Sequence, residues 1–156
     1  MIILGLTGSI GMGKSTAAAM LRRLGVPLFD ADCVVHQLLA PSGAAVPSVT
    51  AAFPDVQTED GGIDRARLGQ RVFNDRAALR RLEAILHPMV AAEENRFLDR
   101  IRARRQPLAV LDIPLLFETG AERRCDYVLV VSAPALVQRQ RVLRRPGTGE
   151  LPPGKE

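Results

Sequence analysis

The sequence has few of the residues that would place it in several common protein classes. It contains no tryptophan and one tyrosine, so aromatic platforms for stacking single-stranded nucleic acid are not expected. Its two cysteines show neither metal-ligand spacing nor a disulfide framework, which is typical of a reducing compartment. No apolar run is long enough to span a membrane, and the N-terminus lacks the basic leader of a signal peptide. These absences predict a cytoplasmic protein without a membrane or nucleic-acid partner.

Lysine is scarce in a chain that is otherwise basic. Of the 21 basic residues only Lys14 and Lys155 are lysine, and the net charge is +4. The arginines are spread along the chain without a basic tail, which favours polyphosphate substrates over nucleic acid. A length of 156 residues suits one domain with a core of its own, or one domain with a small insertion.

Lys14 belongs to residues 8–15, which fit the phosphate-binding pattern G-x-x-x-x-G-K-[ST]. An apolar, β-branched run at 2–7 precedes the pattern and a helix-forming segment follows at 16–24. This order aims backbone N–H groups and a helix N-terminus at an anion. In such loops the lysine reaches the β- and γ-phosphates and the Ser15 hydroxyl is the expected Mg²⁺ ligand. The predicted ATP-binding residues are Gly8, Gly11, Met12, Gly13, Lys14, Ser15 and Thr16.

Carboxylates follow two further predicted strands. Asp30 and Asp32 come directly after the strand predicted at 26–29, and Asp112 ends the strand predicted at 108–112. Ligands bind at the carboxyl ends of parallel strands, so we expect these carboxylates at the same edge as the phosphate loop. Asp112 has the position from which an acidic residue assists Mg²⁺. For the aspartate pair two roles stay open: capping the helix predicted at 33–39, and acting as a general base or metal-shell ligand.

The segment from 31 to 105 is rich in predicted helices and longer than a crossover between parallel strands requires. We therefore expect a helical substrate-binding region, with a short helix over 44–53 and a helix over 64–73 capped by Asp64. A longer helix is predicted after Asp75, kinked or split at Pro88. His87 fits a cleft and a purely structural position equally well. The apolar stripe of the long helix is predicted to comprise Leu79, Leu82, Leu86, Val90 and Phe97.

The C-terminal third contains a last predicted strand and a basic helix. The apolar run at 126–131 predicts a buried strand, and the helix at 135–145 carries several arginines. Those arginines suit a solvated face as well as a phosphate clamp. Glu118 is a further candidate for the cleft.

Taken together, these motifs resemble the dephospho-CoA kinase family over residues 1 to about 147. The shared segments are 5–16 (GLTGSIGMGKST), Asp30-Ala31-Asp32, Asp64-Arg65 with Leu68, Val72-Phe73, Leu86-His87-Pro88, 114–118 (PLLFE), Cys125-Asp126 and Gln138-x-x-Arg141. The loop alone is common to many enzymes, whereas the set in this order is specific to one family.

The resemblance implies ATP-dependent phosphorylation of the ribose 3′-hydroxyl of dephospho-CoA, with Mg²⁺, by a monomer or weak homo-oligomer. The implied fold is α/β, with a parallel sheet of the P-loop NTPase type, flanking helices and a helical substrate-binding insertion. By the resemblance, Asp32 is the base, Arg65 and His87 belong to the substrate-binding region, and Arg141 leads towards the lid. With the motif-based predictions, the catalytic residues are Asp32, Lys14 and Arg141; the substrate-binding residues are Asp32, Arg65, His87 and Glu118; and the metal ligands are Ser15 and Asp112.

The chain departs from the family pattern after residue 147. Residues 148–156 are rich in Gly and Pro without periodicity, so we predict a disordered tail, with the lid and the last strand and helix incomplete. The alternative functions are another small-molecule P-loop kinase and a nucleotide-binding remnant with little activity. A GTPase is disfavoured because no Asn-Lys-x-Asp segment is present.

Overall fold

The computed structural model describes residues 1–114 and 116–144. The strands in these residues are β1 (Ile2–Thr7), β2 (Leu28–Asp30), β3 (Leu108–Asp112) and β4 (Tyr127–Val130). The helices are α1 (Lys14–Arg23), α2 (Ala31–Leu39), α3 (Val46–Ala52), α4 (Arg65–Phe73), α5 (Arg76–Ala103) and α6 (Ala135–Leu143). The expectation of a disordered tail at 148–156 falls outside the described residues.

The strands form one sheet in the order β2-β3-β1-β4. The central strand β1 pairs in parallel with β3 and with β4, and Leu6 lies opposite both Asp112 and Leu129. The side chains of Leu6, Ala18 and Val110 are buried together, which fixes α1 against the sheet. The predicted α/β fold with a parallel sheet is confirmed.

The chain divides into two compact units. Among the described residues, one comprises Met1–Phe29 with the part of the chain from Gln106 to Arg144, and the other comprises Asp30–Arg105. The first holds the sheet, and the second holds α2 to α5 around an apolar core of its own. Residues buried in this second core include Leu38, Leu39, Val46, Val49, Phe53, Val56, Ile63, Leu68, Leu82 and Leu86. Across the described ranges, no helix combines the length and apolarity needed to cross a membrane.

Two helices begin where local signals predicted. Asp64 caps α4 by accepting hydrogen bonds from the N–H groups two and three residues later, at 2.9 and 3.0 Å. Asp75 caps α5 in the same way, at 2.8 and 3.0 Å. These N–H donors hold the pKa of Asp75 below its usual value. Both predicted helix starts are confirmed, because an N-cap depends only on residues within one turn.

The long helix α5 corrects two expectations. It runs from Arg76 to Ala103 as one helix, so of the kink or split predicted at Pro88 the split is wrong. Buried side chains before and after the proline, including Leu86 and Leu98, anchor both halves of α5, whereas proline removes one N–H donor from the helix. In the predicted stripe, Leu79 is exposed because it lies near the start of the helix, outside the buried face.

The strand β4 is also exposed, contrary to the prediction of a buried strand. Tyr127 is 65% exposed and Val130 is 56% exposed. In the part of the sheet that the structure describes, β4 is an edge strand whose single neighbour is β1. An apolar run in sequence indicates a strand, but strand order decides whether that strand lies at the edge.

A surface ion pair links the turn after α3 to α4 and gives the stability a dependence on pH. Arg71 donates to one Asp55 carboxylate oxygen through Nε at 2.8 Å and Nη2 at 2.5 Å. The guanidinium holds the pKa of Asp55 below its usual value of 3.8. Because the folded-state pKa is the lower one, this stabilisation is present above pH 3.8 and is lost as the pH falls through the folded-state pKa.

We therefore expect Asp55→Asn to lower the melting temperature at pH 7 by about 1–3 °C, since exposed pairs contribute little. Below pH 3.8 the difference from wild type should shrink and then close. The matched control is Asp99→Asn, whose partner Arg102 lies on the same helix. Thermal unfolding followed by circular dichroism between pH 7 and pH 2 measures both. A difference in melting temperature between wild type and Asp55→Asn that stayed constant over this range would show that Asp55 acts through packing and not through its charge.

Candidate active site

The loop between β1 and α1 presents the first turn of a helix without a side-chain cap. Gly13 is the N-cap residue, with φ of 102° and ψ of 16°, and no side chain bonds to the cap. The first turn of α1 also contains no acidic residue. The N–H groups at this helix end therefore face no carboxylate of their own helix, which suits them to bind an anion.

Glycine is required at both ends of the loop. A Cβ atom at Gly8 would lie 2.7 Å from the backbone oxygen of Val131, closer than real Cβ contacts allow. At Gly13 the left-handed backbone conformation is strained for any L side chain. Gly8 is required because the backbone after β4 lies close to it, and Gly13 is required because the chain turns there into α1.

Lys14 and Asp112 form an ion pair inside the sheet unit. Lys14 Nζ donates to Asp112 Oδ1 at 2.7 Å, with 19% of the lysine side chain and 8% of the aspartate side chain exposed. Lys14 lies after β1 and Asp112 is the last residue of β3. These two strands are neighbours in the sheet, although 98 positions separate the two residues in sequence. The sequence predicted each residue at the site, but not their direct contact. This contact holds the ammonium group at the start of α1, beside the loop.

Two oxygen donors in this unit suit a magnesium ion. Ser15 lies in the first turn of α1 with an exposed side chain, and Asp112 supplies a carboxylate at the end of β3. Among the described residues no group of three or more His, Cys, Asp or Glu side chains forms a metal cage. Magnesium bound to nucleotide phosphates needs only one or two protein oxygens, so the residues present fit this ion.

Two side chains of the helix α6 donate hydrogen bonds to the loop. Gln138 Nε2 donates to the backbone oxygen of Ile10 at 2.9 Å, and Arg141 Nη1 donates to that of Gly11 at 3.3 Å. Arg141 therefore contacts the loop, and its role as a phosphate clamp stays a prediction. The contact of Gln138 was not predicted, because nothing within one turn of sequence signals a partner 128 residues away.

In the helical unit the two aspartates differ in position. Asp30 is the N-cap of α2 and accepts a hydrogen bond from the Cys33 N–H at 3.0 Å. Asp32 lies in the first turn with an exposed side chain. The helix begins at Ala31, two residues earlier than predicted, because Asp30 is both the last residue of β2 and the N-cap of α2. The capping role therefore belongs to Asp30.

Arg65, at the start of α4, contacts a histidine, His36, that no sequence motif indicated. Its Nη1 atom lies 2.8 Å from His36 Nδ1. Because arginine only donates, His36 Nδ1 accepts and the ring proton of the neutral form resides on Nε2. The two other predicted substrate-binding side chains are exposed: His87 lies midway along α5, and Glu118 lies in the turns after β3.

Comparison with known proteins assigns the family. The sequence model of the dephospho-CoA kinase family matches residues 2–151. The chain belongs to the dephospho-CoA kinase family. It is 67% identical over 147 residues to a dephospho-CoA kinase of Paramagnetospirillum magneticum, which covers 94% of this chain and 69% of the relative. It is 62% identical over 146 residues to the dephospho-CoA kinase of Rhodospirillum rubrum, with the same coverage of both chains.

Solved structures agree with the fold. A crystal structure of a Thermus thermophilus protein is 39% identical in sequence and superimposes with a TM-score of 0.81, covering 94% of this chain and 73% of that one. The dephospho-CoA kinase from Campylobacter jejuni, 19% identical, has a TM-score of 0.63 and shows the same fold over 89% of this chain and 92% of its own. Family membership makes this chain a kinase, and the kinases of this family use ATP.

Proposed function

We propose that this enzyme transfers the γ-phosphoryl group of ATP to the ribose 3′-hydroxyl of dephospho-CoA, which yields coenzyme A and ADP in the final step of coenzyme A synthesis. The observation that carries this proposal is the phosphate loop with its Lys14–Asp112 ion pair, in a chain of the dephospho-CoA kinase family. The alternative P-loop kinases share the loop but not the family match.

The reaction forms one bond and breaks one. The acceptor hydroxyl oxygen attacks the γ-phosphorus, and the bond between that phosphorus and the β,γ-bridging oxygen breaks. ADP leaves with the bonding electron pair, and the hydroxyl proton goes to a base. Catalysis of this step consists chiefly of positioning and charge stabilisation, because the protein itself forms no covalent bond.

The sheet unit would bind the triphosphate. The N–H groups at the start of α1 and the Lys14 ammonium neutralise negative charge on the β- and γ-phosphates. Arg141, already at the loop, supplies a further cation for the charge that develops in the transition state. Ser15 and Asp112 would hold Mg²⁺, which supplies Lewis-acid stabilisation of the phosphate oxygens.

The acceptor would be bound chiefly by the helical unit. Asp32 is the proposed base, because its carboxylate is exposed in the first turn of α2 while Asp30 is engaged in capping. Arg65 is proposed to bind a phosphate of dephospho-CoA, since its planar guanidinium suits bidentate phosphate recognition and its contact with His36 restricts its rotamers. His87 and Glu118 complete the proposed acceptor residues.

We further propose a cytoplasmic monomer or weak homo-oligomer that binds neither nucleic acid nor membrane.

A coupled assay of ADP release with a panel of acceptors tests this function. We expect turnover with dephospho-CoA and Mg²⁺-ATP, a product phosphorylated at the 3′ position by mass spectrometry and ³¹P NMR, and no turnover with shikimate or a nucleoside. Turnover with one of these acceptors instead would favour another small-molecule kinase. Binding of ATP without turnover of any acceptor would favour a nucleotide-binding remnant.

A further inference from the structure

The segment after β4 and the helix α6 both form hydrogen bonds with the phosphate loop. Besides the hydrogen bond from Gln138 to the Ile10 oxygen, the N–H of Ala133 donates to Met12 Sδ at 3.1 Å. The helix packs closely here, since a Cβ atom on Gly11 would lie 2.9 Å from Val142 Cγ2. These contacts fix one face of the loop independently of any ligand.

We infer that Gln138 is a positioning residue for the nucleotide phosphates, acting through the peptide group between Ile10 and Gly11. The N–H and C=O of one peptide point in opposite directions. When Gln138 holds the Ile10 oxygen towards α6, the Gly11 N–H is turned away from α6. A loop that binds an anion must present N–H groups and keep its carbonyl oxygens, which carry partial negative charge, away from the phosphates.

The hydrogen bond matters because it is made to the carbonyl oxygen of this peptide, whereas Arg141 bonds to the Gly11 oxygen and Ala133 bonds to the Met12 sulfur. Gly11 has φ of 77°, and a glycine moves between left-handed and right-handed regions at low cost. A rotated peptide would aim the Ile10 oxygen in the opposite direction and remove one donor. Gln138 therefore pre-organises the loop, and the nucleotide gains affinity because the peptide is already oriented before binding.

The matched variants are Gln138→Met and Gln140→Met. Methionine keeps the length and apolar contacts of glutamine but removes the donor, and Gln140 lies exposed on the same helix. We expect Gln138→Met to weaken ADP binding about five- to tenfold by isothermal titration calorimetry, the range for one lost hydrogen bond. The Gln140→Met chain should bind ADP as wild type does, and both variants should keep the wild-type KM for dephospho-CoA.

Two further measurements separate positioning from general damage to the fold. The melting temperature of Gln138→Met should stay within about 2 °C of wild type, since the bond is largely exposed. The Gly11 amide resonance in ¹⁵N NMR spectra should shift or broaden in Gln138→Met and not in Gln140→Met, because it reports the orientation of this peptide.

An ADP affinity within about twofold of wild type in Gln138→Met would overturn the inference. A loss of ADP affinity in Gln138→Met with an unchanged Gly11 amide resonance would overturn it as well. So would a loss of ADP affinity in proportion to a loss of stability. The inference rests on the proposed function only in treating the loop as a phosphate site. Turnover by wild type with normal ADP binding in Gln138→Met would refute this inference alone, whereas a wild-type chain that does not bind ADP would refute both.

Discussion

Replacing Lys14 by alanine should lower kcat/KM by about 10²–10³-fold, the usual cost of removing one donor to developing charge. Lys14 is the basic residue at the start of α1, and its ammonium is fixed by Asp112 at 2.7 Å. Its loss removes positive charge from the β- and γ-phosphates and leaves the buried Asp112 carboxylate without this partner. Steady-state kinetics with Mg²⁺-ATP and dephospho-CoA measure the effect.

The double variant Lys14→Ala with Asp112→Asn separates catalysis from stability. Removal of the buried negative charge should restore part of the stability lost in Lys14→Ala, because breaking a buried ion pair by removing one partner is costly. It should not restore turnover, since the cation is still missing. Recovery of turnover in the double variant, or a single variant within about tenfold of wild type, would show that Lys14 serves the fold and not the transfer.

Replacing Asp32 by asparagine should lower kcat by about 10²–10⁴-fold, the usual contribution of a general base, and leave the affinity for ATP nearly unchanged. Asparagine keeps the size of the side chain but accepts a proton far more weakly. The exposed first-turn position of Asp32 makes a large change in stability unexpected. Single-turnover kinetics together with calorimetric titration of ADP distinguish the two effects.

The control for this base is Asp30→Asn, two residues earlier. Asparagine caps helices as well as aspartate does, so this variant should keep α2 and most of the turnover. If Asp30→Asn abolished turnover while Asp32→Asn kept it, the base would be Asp30. If Asp32→Asn lost nucleotide affinity in proportion to kcat, Asp32 would act in binding instead.

The features read correctly from the sequence are those controlled by neighbouring residues. The phosphate loop needs glycines and a lysine at fixed spacing between a strand and a helix, and each of these signals lies within about ten residues. The caps Asp64 and Asp75 bond to N–H groups two and three residues away. Such contacts form in the same way wherever the helix packs, so the pattern is sufficient to predict them.

The features that the sequence left open or predicted wrongly depend on packing. Asp30 and Asp32 both have the chemistry of a cap, and the end of β2 decided that Asp30 takes this role. The exposure of β4 follows from its place beside β1 at the edge of the described sheet. The uninterrupted course of α5 through Pro88 follows from buried side chains on both sides of the proline.

By itself, the sequence determined the dephospho-CoA kinase family and the order of strand, glycine loop and helix around residues 8–15, whose binding of phosphate stays a prediction. Only the tertiary structure joined Lys14 to Asp112, Arg65 to His36 and Gln138 to Ile10, across 98, 29 and 128 residues. The physical reason is that a side chain's identity limits which partners it accepts, whereas strand order and helix packing decide which of those partners come within hydrogen-bonding distance.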